Sequence, residues 1–285
     1  MKVLVVGATG HYAHLIVPAL VAQGVEVRAL VRKPDQATGA RQLGAAEIAV
    51  GDLRDTASLA AAVRGVDGVF HLGPVFAPDE AAMGERMVAA AQAAGVRKLV
   101  FSSVMHPSLP LSNHAAKRPV EAALYESGLE FTVLQPAMFM QNLADSVHQA
   151  RTSVQLVMPY SSQAKMCYVD YRDVAEVAAL AFTTDRLRYG TFELSAPGLL
   201  DRPQLATLLS EVLGQPVAAG EVSPEQGVAQ MGLPPGPQHE GMLAMFTHYN
   251  QYGFAGGNAL VLEAILGRPP RSLRQYLQEL AGQAA

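Results

Sequence analysis

The chain has 285 residues, of which 50% are apolar and only 16% charged, with a formal net charge of −4. This composition excludes a disordered chain, and the mildly acidic balance excludes a nucleic-acid partner or an anionic membrane held by charge. Cys167 is the single cysteine, which excludes an internal disulfide and a cysteine-rich zinc site. The apolar run at residues 3–6 is too short for a signal-peptide core, and no run of about 18 apolar residues follows, so a cytoplasmic protein without a membrane partner is expected.

In chain order, residues 3–6 form an unbroken apolar run, Val3-Leu4-Val5-Val6, of the kind buried on both faces of a parallel sheet. A glycine-rich turn follows, then an apolar-periodic helix over 11–23 that Gly24 ends. Further strands are expected at 25–31, 46–50, 68–72, 98–102 and 130–134. The helices between them are expected before Gly44, after Asp55, over 79–94 and over 112–127. Alternating strands and helices of this length make βαβ units, hence an α/β, doubly wound parallel sheet with helices on both faces. Beyond about residue 136 the rhythm changes. Strands at 155–158 and 191–194 flank a helix at 171–183. A helix at 203–213 precedes a proline- and glycine-rich loop at 231–238, and helices at 239–252, 259–266 and 273–280 follow it. The expected division is a nucleotide-binding core over 1–150 and a smaller, mostly helical substrate-side domain over 151–285. Some of the later strands and a helix are expected to return to the core.

The first turn, Gly7-Ala8-Thr9-Gly10-His11-Tyr12-Ala13, joins a strand to a helix inside a βαβ series. Glycines there let the backbone approach a dinucleotide pyrophosphate, which free N–H groups at the start of the helix favour. Ala13 takes the third, packing position of the pattern. At the end of the second strand, sites for NAD carry an acid for the ribose 2′-hydroxyl. Here Val31-Arg32-Lys33 places two cations instead, which suits the 2′-phosphate of NADP(H).

The chain resembles the NmrA-like branch of the atypical short-chain dehydrogenase/reductases. The likeness is carried by the glycine turn, by Val31-Arg32-Lys33, by Gly51-Asp52-Leu53-Arg54-Asp55, and by the stretch from Gly95 to Ser103. It continues through His114-Ala115-Ala116-Lys117 with Glu121, the segment Ser127 to Pro136, Phe139 to Asn142, and the ending Gly267-Arg268-Pro269-Pro270-Arg271-Ser272-Leu273. The resemblance implies an NAD(P)-binding Rossmann fold and a set of cofactor contacts. Gly7, Thr9, Gly10, His11 and Tyr12 would hold the pyrophosphate, and Arg32 and Lys33 the 2′-phosphate. Asp52 and Leu53 would lie along the adenine, with a turn or cap as the plainer role of Asp52. His71, Leu72 and Gly73 would line ribose and phosphates, Lys117 would reach the nicotinamide ribose, and Pro136 and Phe139 would sit near the nicotinamide.

One departure from the short-chain pattern bears on chemistry. Tyr-x-x-x-Lys supplies the proton in ordinary members, but Asn113 stands four residues before Lys117. The nearest titratable candidates for proton movement are His114 and Lys117, three apart on one helical face. The expected function is NADPH-dependent reduction of a quinone or similar conjugated aromatic by hydride transfer, with a small aromatic or quinone substrate as partner. Two alternatives stand beside it: a non-catalytic NADP(H)-sensing regulator, and a secondary-metabolism tailoring enzyme acting on a polycyclic aromatic. No metal is expected, and both monomer and homodimer are compatible with the resemblance.

Overall fold

The computed structural model describes residues 1–282. They form two compact units. The first comprises Met1–Pro136 with Arg172–Glu193, and the second comprises Ala137–Tyr171 with the chain from Leu194 onward. The chain leaves the first unit at Pro136 and re-enters it at Arg172, so the units are not consecutive halves. Residue 150 lies within the helix Ala144–Ser153 of the second unit.

The first unit is built on strands β1 (Lys2–Val6), β2 (Glu26–Val31), β3 (Glu47–Val50), β4 (Gly68–His71), β5 (Lys98–Ser102) and β6 (Glu130–Pro136). Their order is β6-β5-β4-β1-β2-β3, with Gly190–Leu194 added beside β6 as the seventh strand. The pairs β1–β2, β2–β3, β1–β4, β4–β5 and β5–β6 are all parallel. The helices of this unit are α1 (Ile16–Ala22), α2 (Ala37–Gln42), α3 (Thr56–Ala62), α4 (Glu80–Ala93), α5 (Ser112–Ala115), α6 (Lys117–Glu126) and the later Tyr171–Thr183. The doubly wound α/β fold expected from the βαβ rhythm is therefore present.

Burial explains why the central strands β1, β4 and β5 are largely apolar and do not alternate. Leu4, Val69, Leu99 and Val133, all 0% exposed, pack in one cluster with Leu59 of α3, Met87 of α4 and Leu124 of α6. Removing that much apolar surface from water is the dominant favourable term in such a core. Lys98 is the exception within β5. It is 1% exposed, and its Nζ donates to the carbonyls of Ala181 (2.7 Å) and Thr184 (3.0 Å), the open end of helix Tyr171–Thr183.

Two helices differ from expectation. The segment expected as one helix over 11–23 is a turn, then a 3₁₀ stretch Ala13–Leu15, then α1. The segment expected over 112–127 is interrupted at Ala116. Pro119 is the cause, since it has no N–H to give the Ala115 carbonyl four residues back.

In the second unit, Gln155–Met158 pairs in parallel with Ala218–Glu221, and Met138–Phe139 with Tyr168–Val169. Helices Arg202–Leu213, Pro224–Gln230, Pro237–Tyr252, Leu260–Leu266 and Leu273–Gly282 complete it. The expected loop over 231–238 is shorter, because Pro237 begins a helix as a proline at its first position. No helix among the described residues is long and apolar enough to cross a membrane.

Candidate functional site

In the first unit, the strand order reverses at β1: the chain winds outward through β2 and β3, then returns to lay β4 on the other side of β1. The carboxyl ends of β1 and β4 thus flank the point where open α/β sheets bind ligands. Gly7 follows β1 and Leu72 follows β4, and a Cβ on Gly7 would lie 3.9 Å from the Leu72 carbonyl.

The turn after β1 needs its glycines for two separate reasons. Gly7 sits at φ +69°, a left-handed conformation that side chains disfavour. The Gly10 N–H donates to the Gly7 carbonyl at 2.7 Å, and a Cβ on Gly10 would stand 3.0 Å from that same oxygen. The Gly10 carbonyl accepts from the His14 N–H and meets the His14 Nδ1, both at 3.1 Å. Gly7, Gly10 and His11 are exposed, and Thr9 and Tyr12 are half-buried. Partial burial pushes the Tyr12 hydroxyl pKa up, so it is a neutral donor in any ordinary buffer. His11 and Tyr12 stand edge to face, 4.7 Å between centroids.

After β2, Val31 is buried and Arg32 and Lys33 are exposed. Their backbone N–H groups donate to the Gln36 side chain at 3.0 and 3.1 Å, which fixes the turn. Neither cationic side chain has an ion-pair partner among the described residues, so both are available to an anion. After β3, Asp52 does local work: its carboxylate accepts the Arg54 N–H at 2.8 Å, and its own N–H donates to Ser58 Oγ at 3.0 Å. Leu53 is half-buried against the core. Arg54 makes two parallel donations to Asp79, each 2.8 Å, tying the loop after β3 to the residue before α4.

A buried polar cluster lies at the ends of β4 and β5. His71 is 1% exposed and stacks on Phe101, centroids 5.6 Å apart. Its Nδ1 has no hydrogen-bond partner. Burial, assisted by the nearby Lys117 charge, pushes its pKa down to about 3, so the imidazole is neutral. Lys117, the first residue of α6, donates to Glu80 Oε1, where Glu80 opens α4. Burial pushes the Glu80 carboxyl pKa up, and Lys117 offsets part of that rise. Glu80 Oε2 is buried with no partner. Beside this pair, Ser103 Oγ (2.5 Å) and Gln135 Nε2 (2.9 Å) both donate to Glu121 Oε1.

The structure therefore brings the glycine turn, His71, Leu72 and Gly73 to one edge of the sheet, with Lys117 paired beside His71. His114 is 1% exposed, and its Nδ1 lies 3.0 Å from the His106 carbonyl, so that nitrogen is the donor. Asn113 is likewise buried. Pro136 ends β6 as a buried residue. Phe139 belongs to the second unit, half-buried and edge-on to Tyr171 at 4.6 Å. Glu80 was not among the residues expected at the site. An acid opening a helix reads as a partner for the helix dipole, and nothing local signals that it reaches Lys117, 37 residues on.

A dinucleotide fits what is present. Gly7 and Gly10 put no side chains of their own on the turn. Two exposed cations stand after β2, and two buried polar atoms without partners lie near the end of β4.

Comparison with known proteins agrees. The chain is 33% identical over 239 residues to an NAD(P)H azoreductase from Xenophilus azovorans, covering 81% of this chain and 82% of that one. It is 32% identical over 284 residues to a (4-alkanoyl-5-oxo-2,5-dihydrofuran-3-yl)methyl phosphate reductase from Streptomyces griseus, covering 98% of each. Its fold matches an NADPH-dependent quinone oxidoreductase from Escherichia coli complexed with NADPH. The TM-score is 0.84 at 23% identity, over 98% of this chain and 99% of that one. The NmrA-like family profile matches residues 1–278, and the chain belongs to that family.

Proposed function

We propose that the protein reduces a quinone or a similar conjugated aromatic with NADPH, without the tyrosine that ordinary short-chain dehydrogenases use. That it is an NAD(P)H-dependent oxidoreductase follows from its family and its relatives. The observation that carries the finer reading is the pairing of an open glycine turn at the sheet's reversal point with exposed, unpaired Arg32 and Lys33. The azoreductase relative supports a conjugated acceptor.

When bound, NADPH supplies the hydride. The protein's own residues do the rest. Gly7, Thr9, Gly10, His11 and Tyr12 cradle the pyrophosphate, with Gly10 letting the backbone approach while its own N–H closes the turn onto Gly7. Arg32 and Lys33 hold the 2′-phosphate, and the turn at Asp52 and Leu53 lies along the adenine. His71, Leu72 and Gly73 line the ribose and phosphates, and Lys117 orients the nicotinamide ribose. Pro136 and Phe139 border the nicotinamide. Asn113 cannot act as an acid, and a hydride added to a quinone leaves a stabilised anion, so positioning supplies most of the rate. The two candidates for moving a proton are Lys117, held by Glu80, and His114, whose Nδ1–H is held by the His106 carbonyl. The proposed compartment is the cytoplasm.

The test mixes the pure protein with NADPH and a panel of quinones and azo dyes and follows nicotinamide absorbance. Oxidation above the buffer rate with at least one acceptor is expected. Tight NADPH binding with no turnover for any acceptor would replace this reading with a cofactor sensor.

A further inference from the structure

Glu80 carries a buried carboxylate oxygen without a partner. It is 3% exposed, one oxygen takes the Lys117 ammonium, and the other has no partner. Its neighbour Glu121, at 7% exposed, takes both Ser103 and Gln135. The Phe76 amide lies near enough to favour the charged form of Glu80, yet makes no hydrogen bond to Oε2. A buried acceptor left unsatisfied is costly, and such groups in folded proteins have a reason to be there.

The surrounding chain is shaped around this carboxylate. Gly73 lies against it: a Cβ there would come within 3.2 Å of Oε1 and 3.3 Å of Cγ. The loop that brings Glu80 back to the sheet edge passes through Phe76 at φ +63°, a strained conformation for a bulky residue. His71, one strand end away, also has a buried nitrogen without a partner. Two orphaned buried polar atoms at the carboxyl end of β4, beside a buried lysine, make a site prepared for a ligand rich in hydroxyl groups.

We propose that Glu80 is a ligand-binding residue whose Oε2 accepts a hydrogen bond from a hydroxyl of the nicotinamide-side ribose, while Oε1 holds the Lys117 side chain in place. This rests on the NADPH reading above. The Glu80–Lys117 pair then recognises a diol from both sides, the carboxylate accepting from it and the ammonium donating to it.

The experiment titrates wild type and Glu80→Gln with two probes, NADPH and 2′,5′-ADP, the second of which lacks the nicotinamide half. Glu80→Gln is expected to weaken NADPH by roughly tenfold to a hundredfold, the worth of a hydrogen bond to a charged group, and to leave 2′,5′-ADP unchanged. Equal losses for both probes, or no loss for either, would overturn it. If Glu80→Gln fails to fold, infrared difference spectra of the wild type decide. A carboxylate-stretch change on binding NADPH but not 2′,5′-ADP supports the proposal, and identical spectra refute it. A wild type that binds no NADPH overturns the functional reading itself, whereas wild-type binding with an indifferent Glu80→Gln overturns only the role of Glu80.

Discussion

Lys117 and Glu80, 37 positions apart, form an ion pair whose side chains are 6% and 2% exposed. Removing one partner of such a pair leaves a charge in a medium that solvates it poorly. Lys117→Met is therefore expected to destabilise the fold by about 3 kcal/mol or more near neutral pH. The cost should shrink as pH falls, because Glu80 already has a raised pKa and escapes the penalty by taking a proton. Glu80→Gln/Lys117→Met should recover part of the loss. Urea denaturation of both variants and wild type, at two pH values, measures this. A single-variant cost that ignores pH would contradict it.

His71 gives the acid side of the stability profile its slope. Its pKa is pushed from 6.5 down to about 3, so the unfolded chain binds a proton through that window and the folded chain does not. Stability is full above pH 6.5 and is lost as pH falls towards 3. At pH 5 the loss from this group is about 2 kcal/mol, taking about 1.4 kcal/mol per pH unit. The raised pKa of Glu80 works in the opposite direction, since its folded form takes up a proton first. Comparing wild type with His71→Leu isolates the histidine, and the variant should lose less stability between pH 8 and pH 5. Parallel profiles would show that His71 ionises freely in the fold.

The two glycines of the first turn should separate in their effects. Gly7→Ala meets nothing closer than 3.9 Å but must hold φ +69°, so it should cost about 1–2 kcal/mol in stability. Gly10→Ala places a methyl 3.0 Å from the Gly7 carbonyl, forcing the turn to shift. NADPH affinity should fall more in Gly10→Ala than its melting temperature alone would suggest. Calorimetry beside cofactor titration of both variants checks this, and unchanged affinity in Gly10→Ala would remove the turn from the site.

Much of the first unit is legible in the sequence because its strands are apolar on both faces and punctuated by glycine. The strand expected at 98–102 is found at Lys98–Ser102, and Gly24 ends the first helix at φ +73°. What escapes is set by contacts distant in sequence. Glu80 looks like a helix-start acid until Lys117 is brought to it. The strand Ala218–Glu221 has the sequence AAGE, with little strand propensity, and exists because it pairs with Gln155–Met158. Helix Pro224–Gln230 carries a capping box at Ser223 and Gln226, yet Gly227 argues against a helix. The glycine is there for packing, since a Cβ would fall 2.1 Å from the Pro159 side chain.

On the proposed function, the choice of NADPH over NADH is made at the end of β2, by Arg32 and Lys33. Side-by-side titration of NADPH and NADH against wild type and Arg32→Ala tests it most directly. Wild type should prefer NADPH. Arg32→Ala should weaken NADPH by about 1.5–3 kcal/mol, the worth of a hydrogen bond to a charged group, and leave NADH nearly unchanged. Equal loss for both cofactors, or a wild type that prefers NADH, would contradict the account.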